Sequence, residues 1–84
     1  MFGEFLHPSI FDKAAAYLFH IVCNHPFLDA NKRIGAAVAL TFLEMNQMPM
    51  EFDEREFEEL VVKVADGKAA KEAISRFFEN NSAP

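Results

Sequence analysis

The sequence predicts a single all-α domain of about four helices. Three observations carry that prediction. Phe57, Leu60, Val61 and Val64, and then Ala73, Ile74, Phe77 and Phe78, recur at helical spacing among charged residues, the pattern of amphipathic surface helices. Helix start and stop residues punctuate the chain at regular intervals, and no segment of consequence reads as a strand. Eighty-four residues suffice for one small domain, and an apolar content of 51% with ten phenylalanines argues against disorder.

Met1 to Leu6 forms a short lead-in. The first helix is expected from Ser9 or Ile10 to Asn24. Ser9 with Asp12 three residues on resembles a capping box, and Pro8 suits the approach. Pro26 ends this helix, because the residue before a proline is pushed out of the α region. The second helix runs from Asp29 or Ala30 to about Gln47, with Asn46 and Pro49 at its end. Gly35 costs about 1 kcal/mol relative to alanine inside it, a cost expected to admit a close neighbour. The third helix starts at Asp53, with Glu56 completing a second capping box, and stops at Asp66–Gly67. The fourth spans Ala69 to Glu79, and the tail from Asn80 to Pro84 is expected to fray.

Helices one and two are apolar nearly all round, which places them in the middle of the domain. Two amphipathic helices and a short lead-in offer too little surface to cover both. Some of the central surface is therefore expected to stay bare and to drive formation of a homo-oligomer, a two-fold dimer.

The net charge of −5 leaves no basic field, so direct nucleic-acid binding is not expected. The acids Glu51, Asp53, Glu54, Glu56, Glu58 and Glu59 read as a solvated helix face. Cys23 lies in an apolar run and is expected to be a buried, inert thiol. A lone cysteine permits no disulfide within the chain, which fits the reducing cytoplasm. The first residues show no basic region followed by an apolar stretch, so no signal peptide is expected, and no apolar run reaches the ~20 residues of a membrane span. His20, in apolar company, reads as a satisfied core histidine, and His7 beside Pro8 as a turn residue.

Chemistry concentrates between the two central helices, in His25-Pro26-Phe27-Leu28-Asp29-Ala30-Asn31-Lys32-Arg33. Lys32 and Arg33 fall where a helix N-terminus is already positive, at a cost of about 0.3–1 kcal/mol each. A local rule broken in this way points to a functional site. An anion explains it: free amides, helix dipole, ammonium and guanidinium all aim at a phosphate. His25, an imidazole on a proline-fixed loop, is placed to act as a general base. Asp29 reads as a helix N-cap or as a ligand that shares Mg²⁺ with phosphate oxygens, and the two roles are compatible.

The run HPFLDANKRIG resembles the signature of the Fic superfamily, H-P-F-x-[DE]-G-N-G-R-x-x-R, and is closer to its Doc (death-on-curing) branch, H-x-F-x-[DN]-[AG]-N-K-R. The flanks, from Leu6 to Ala15 and from Ala39 to Asn46, are similar to the helices around that motif. The resemblance implies a truncated Fic-like helical core over residues 1–84, lacking the family's usual N-terminal helices and flap. It also implies roles: His25 as the catalytic base, Asp29 as the Mg²⁺-binding acid, Ala30, Asn31 and the backbone around Lys32 as the anion hole, and Arg33 on nucleotide phosphates. Lys32 stands where AMP-transferring members have glycine, and Ala36 where they have a second arginine. The implied function is phosphate transfer from ATP with Mg²⁺ to a protein hydroxyl of the translation machinery, such as elongation factor Tu, by a toxin opposed by a Phd-like antitoxin. AMP transfer, and a catalytically incomplete core that only binds or oligomerises, are the alternatives.

Overall fold

The structure, a computed structural model, describes residues 6–24 and 28–82, with side chains described from Ile10 onward except that of Leu28. His25, Pro26 and Phe27 of the motif lie outside the described residues. Four helices are present in this part: α1 (Leu6–Cys23), α2 (Leu28–Met45), α3 (Glu54–Ala65) and α4 (Lys71–Asn80). Their order and number are those the periodicity predicts. An isolated β-bridge between Met50 and Ser82, with Glu51 N–H donating to the Asn81 carbonyl at 2.8 Å, ties the α2–α3 connection to the C-terminal end of α4. No helix among the described residues is long and apolar enough to cross a membrane.

Helix α1 is the axis of the fold. Phe11, Ala14, Ala15, Leu18 and Val22 bury one continuous helical stripe, and α1 packs against all three other helices. Helix α3 contributes Phe57, Val61 and Val64 to the core, and α4 contributes Ile74 and Phe78. Four phenylalanines, Phe52, Phe57, Phe77 and Phe78, pack against one another. Phe57 lies 4.9 Å from Phe52, 5.7 Å from Phe77 and 6.0 Å from Phe78 between ring centroids, within the range of favourable aromatic contact. This cluster joins the α2–α3 connection, α3 and α4 into one unit.

The ends of the helices show where local chemistry decides. Asp53 caps α3 as predicted, but its carboxylate accepts from the Arg55 N–H at 2.8 Å, so Glu56 does not complete a capping box. At the other end Gly67, at φ +76°, places Lys68 N–H on the Lys63 carbonyl and its own N–H on Val64, a Schellman closure. Helix α2 closes identically, Met48 N–H to Leu43 and Gln47 N–H to Glu44, but the left-handed position belongs to Gln47 at φ 59°.

Several boundaries differ from expectation. Helix α1 begins at Leu6, so His7 and Pro8 lie in its first turn and Ser9 is not its cap. Asp12 instead accepts from the Ser75 hydroxyl at 2.7 Å and clamps α1 to α4. Helix α2 starts at Leu28 and ends at Met45, because the Schellman closure consumes Asn46 and Gln47. Helix α4 starts at Lys71 behind Ala70, which offers no capping side chain.

A larger correction concerns α2. Its apolar character predicts a place in the middle beside α1, yet only one side of it is covered. Ala39 and Leu43 are fully buried, while Ile34, Val38 and Met45 are 52%, 36% and 78% exposed. The bare central surface inferred from the shortage of covering helices is therefore present, and it lies along α2.

Candidate functional site

The site is built where the C-terminal end of α1 meets the N-terminal end of α2. Two features hold these ends together. The Asn31 side-chain amide donates to the Ile21 carbonyl at 3.1 Å, satisfying one of the carbonyls that the last turn of α1 leaves free. One turn further on, Gly35 lets the two helices approach. A Cβ there would lie 3.0 Å from Val22 Cγ2 and 3.3 Å from the Leu18 carbonyl oxygen. The sequence made Gly35 a candidate for such an approach; the staple formed by Asn31 was not anticipated.

Asp29 does not cap α2 but sits inside its first turn. Its carboxylate lies 3.3 Å from the Lys32 ammonium. An acid in the first turn suits the helix dipole, and this one also offsets the cation one turn on. Lys32 and Arg33 lie past the first turn, so their amides belong to the helical ladder and the free donors fall earlier, around Leu28 to Ala30. The two cations contribute side chains at the mouth of the site. Arg33 is exposed and has no ion-pair partner among the described residues. Ala30 is exposed on the first turn.

These side chains open onto a groove of about 480 Å³ between α2 and α3. Asp29, Lys32 and Arg33 form one rim, Glu54 and Glu58 the other, and Leu40, Phe57 and Val61 lie among its apolar lining. The groove is thus basic on one side, acidic on the other and apolar between. In the sequence Glu54 and Glu58 belong to an acidic run with the pattern of a solvated face. Their spacing of four residues puts them on one side of α3, but only the packing of α3 beside α2 turns that side toward the cations.

Two other residues are placed differently from expectation. Cys23 is exposed, with its Sγ 3.8 Å from the Val64 carbonyl oxygen, because it ends α1 at the edge of the core. His20 is also exposed, on the last turn of α1, where it meets Phe19 edge-on at 5.7 Å. The apolar run surrounding both residues is longer than the face that α1 buries.

Comparison with known proteins decides what this arrangement belongs to. Residues 1–43 match the model of the Fic/DOC family. The chain belongs to the Fic/DOC family. It is 40% identical over 67 residues to the Toxin Doc of Mycolicibacterium smegmatis (strain ATCC 700084 / mc(2)155), an alignment that covers 77% of this chain and 52% of that protein. The chain therefore spans about half the length of this curated relative. No solved structure matches. The part matched by the Fic/DOC model contains α1 and α2 as far as Leu43, so the basic rim of the groove lies within it. The acidic rim, on α3, lies beyond it.

A cation fits this donor set in one respect. Mg²⁺ favours hard oxygen ligands and is commonly held by one or two carboxylates together with substrate phosphates. The Asp29 carboxylate, 86% exposed at the rim, offers one oxygen donor of that kind, and no group of three or more potential metal ligands lies among the described residues.

Proposed function

We propose that this Fic/DOC-family chain is the core of a toxin that transfers phosphate from ATP to a hydroxyl of a protein of the translation machinery, elongation factor Tu being the first target to test, and that an antitoxin opposes it in the cytoplasm. One observation carries the reading: Lys32 and Arg33 reach the mouth of one groove beside the start of α2, in a chain 40% identical to a protein named Toxin Doc.

In this reading His25 accepts the proton of the target hydroxyl as its oxygen attacks the γ-phosphorus. The bond from that phosphorus to the bridging oxygen of ADP breaks, and ADP carries the electron pair away. Lys32 and Arg33 balance charge on the phosphates, assisted by the free amides of the first turn. Asn31 keeps the helix ends in register through Ile21, and Asp29 would hold Mg²⁺, which when bound neutralises phosphate charge.

The test is labelling of elongation factor Tu with ATP carrying its label in the γ- or the α-phosphate. Transfer of the γ-label alone, lost in His25→Ala and weakened in Arg33→Ala, is expected. Transfer of the α-label would replace phosphorylation by AMP transfer. No transfer from either position, with ATP still bound, would leave a core that binds without catalysis.

A further inference from the structure

The outer side of α2 has no place in the function proposed above. Ile34, Ala37, Val38, Thr41 and Met45 form a continuous stripe on it, all exposed. Their spacing of three and four residues puts them on one side of the helix over about 16 Å. No residue of the stripe is charged, although the chain carries a net charge of −5. Beside it, Tyr17 of α1 packs edge-on against Phe42 at 5.2 Å. Tyr17, Ala37, Val38, Thr41, Phe42 and Met45 line a shallow hollow of about 380 Å³. Ile34, 52% exposed, does not line the hollow and projects beyond its end.

We infer that this stripe docks a second copy of the chain, with the two α2 helices antiparallel about a two-fold axis midway between Ile34 and Met45. The charges at its ends select this arrangement. Arg33 and Glu44 are both exposed and lie about three turns apart, nearly on the same side of α2, along one edge of the stripe. A two-fold axis across antiparallel helices keeps that edge on the same side and reverses its direction. Arg33 of each copy then stands beside Glu44 of the other, giving two acid–base pairs on the rim of an uncharged centre. The same operation brings Ile34 of each copy to the hollow of the other, near Met45, and Val38 opposite Thr41. A parallel pairing leaves Arg33 and Glu44 without these partners. Antiparallel helices also oppose their dipoles favourably.

The stripe is shorter than a standard interface, so association is expected at the weak end, with a dissociation constant on the order of 10–100 μM. Sedimentation equilibrium up to several times that concentration tests it, using three variants of exposed residues checked for unchanged circular dichroism. Val38→Glu should leave only monomer. Arg33→Glu and Glu44→Arg should each weaken self-association about tenfold, since each replaces both attractive pairs by repulsive ones. An equimolar mixture of those two should recover the wild-type association, because an acid–base pair is restored at both ends. A monomeric wild type overturns the proposal and assigns the stripe to another protein or to a further segment of chain. A dimer whose two charge variants associate as well as the wild type, or fail to recover on mixing, overturns this face and this register. None of these readings depends on phosphate transfer.

Discussion

Helix α3 buries its main apolar stripe and leaves only Val62, 43% exposed, outside it, whereas helix α2 has apolar residues along two sides and buries only one. In α3 the large side chains Phe57, Val61 and Val64 face inward and the acids face out, so pattern and burial agree. In α2 much of the covered side is small: Gly35 meets α1, and Ala39 and then Leu43 are fully buried, while the bulkier Ile34, Val38 and Met45 stay outside. Hydrophobicity alone does not rank the two sides of α2. Its inner side is set by how closely two helix backbones can approach, and that approach brings Asn31 within reach of the Ile21 carbonyl. The two helices are thus positioned by different means: α3 by volume in a core, α2 by contact at short range next to the site.

Substitutions that separate the two sides of α2 should give the largest effects. Leu43→Ala, at a fully buried position, should cost about 3 kcal/mol in urea melts. Met45→Ala, 78% exposed, should change stability by less than ~0.5 kcal/mol. Comparable losses at the two positions would mean that the outer side is covered in the isolated chain.

Gly35→Val comes next, at about 2 kcal/mol destabilising. Its Cβ meets the Leu18 carbonyl oxygen at 3.3 Å as well as Val22 Cγ2 at 3.0 Å, and a backbone atom in mid-helix cannot turn aside. Gly35→Ala makes the same first contact but recovers about 1 kcal/mol of helix propensity, so it should be clearly milder. Equal effects would contradict close approach as the cause.

A smaller loss, about 1 kcal/mol, is expected for Asn31→Ala, which removes the donor to Ile21. Asn31→Asp should be worse than alanine, since it sets a carboxylate against a carbonyl oxygen. If thermal melts reverse that order, the staple is not what holds the helix ends.

The closures of α2 and α3 supply the finest comparison. They share the same hydrogen bonds, but Gln47 holds the left-handed position in one and Gly67 in the other. Gln47→Gly should stabilise by about 0.5–1 kcal/mol and Gly67→Ala should destabilise by about 1 kcal/mol. Opposite signs in calorimetry would confirm that the difference lies in the backbone angle.

Features legible in the sequence were those that a few neighbouring residues decide. Asp53 as a cap and Gly67 as a stop depend on local hydrogen bonds and one backbone angle, so they were found where the sequence placed them. The inner faces of α3 and α4 follow from periodicity. The motif from His25 to Arg33 is contiguous, and so it revealed the family before any fold was in view. Local signals misled where two of them competed: Ser9 and Asp12 resembled a cap, yet α1 extends back to Leu6.

Tertiary structure alone decided which side of α2 is covered, because apolar residues lie on both sides and only the approach at Gly35 distinguishes them. It also decided that Cys23 and His20 are exposed, since an apolar run does not state which of its residues reach the core. And it set Glu54 and Glu58 across a groove from Lys32 and Arg33, residues more than twenty positions apart whose relation depends on how α3 lies against α2. Caps, stops and motifs are short-range and travel with the sequence; facing charges and bare surfaces arise only when helices pack.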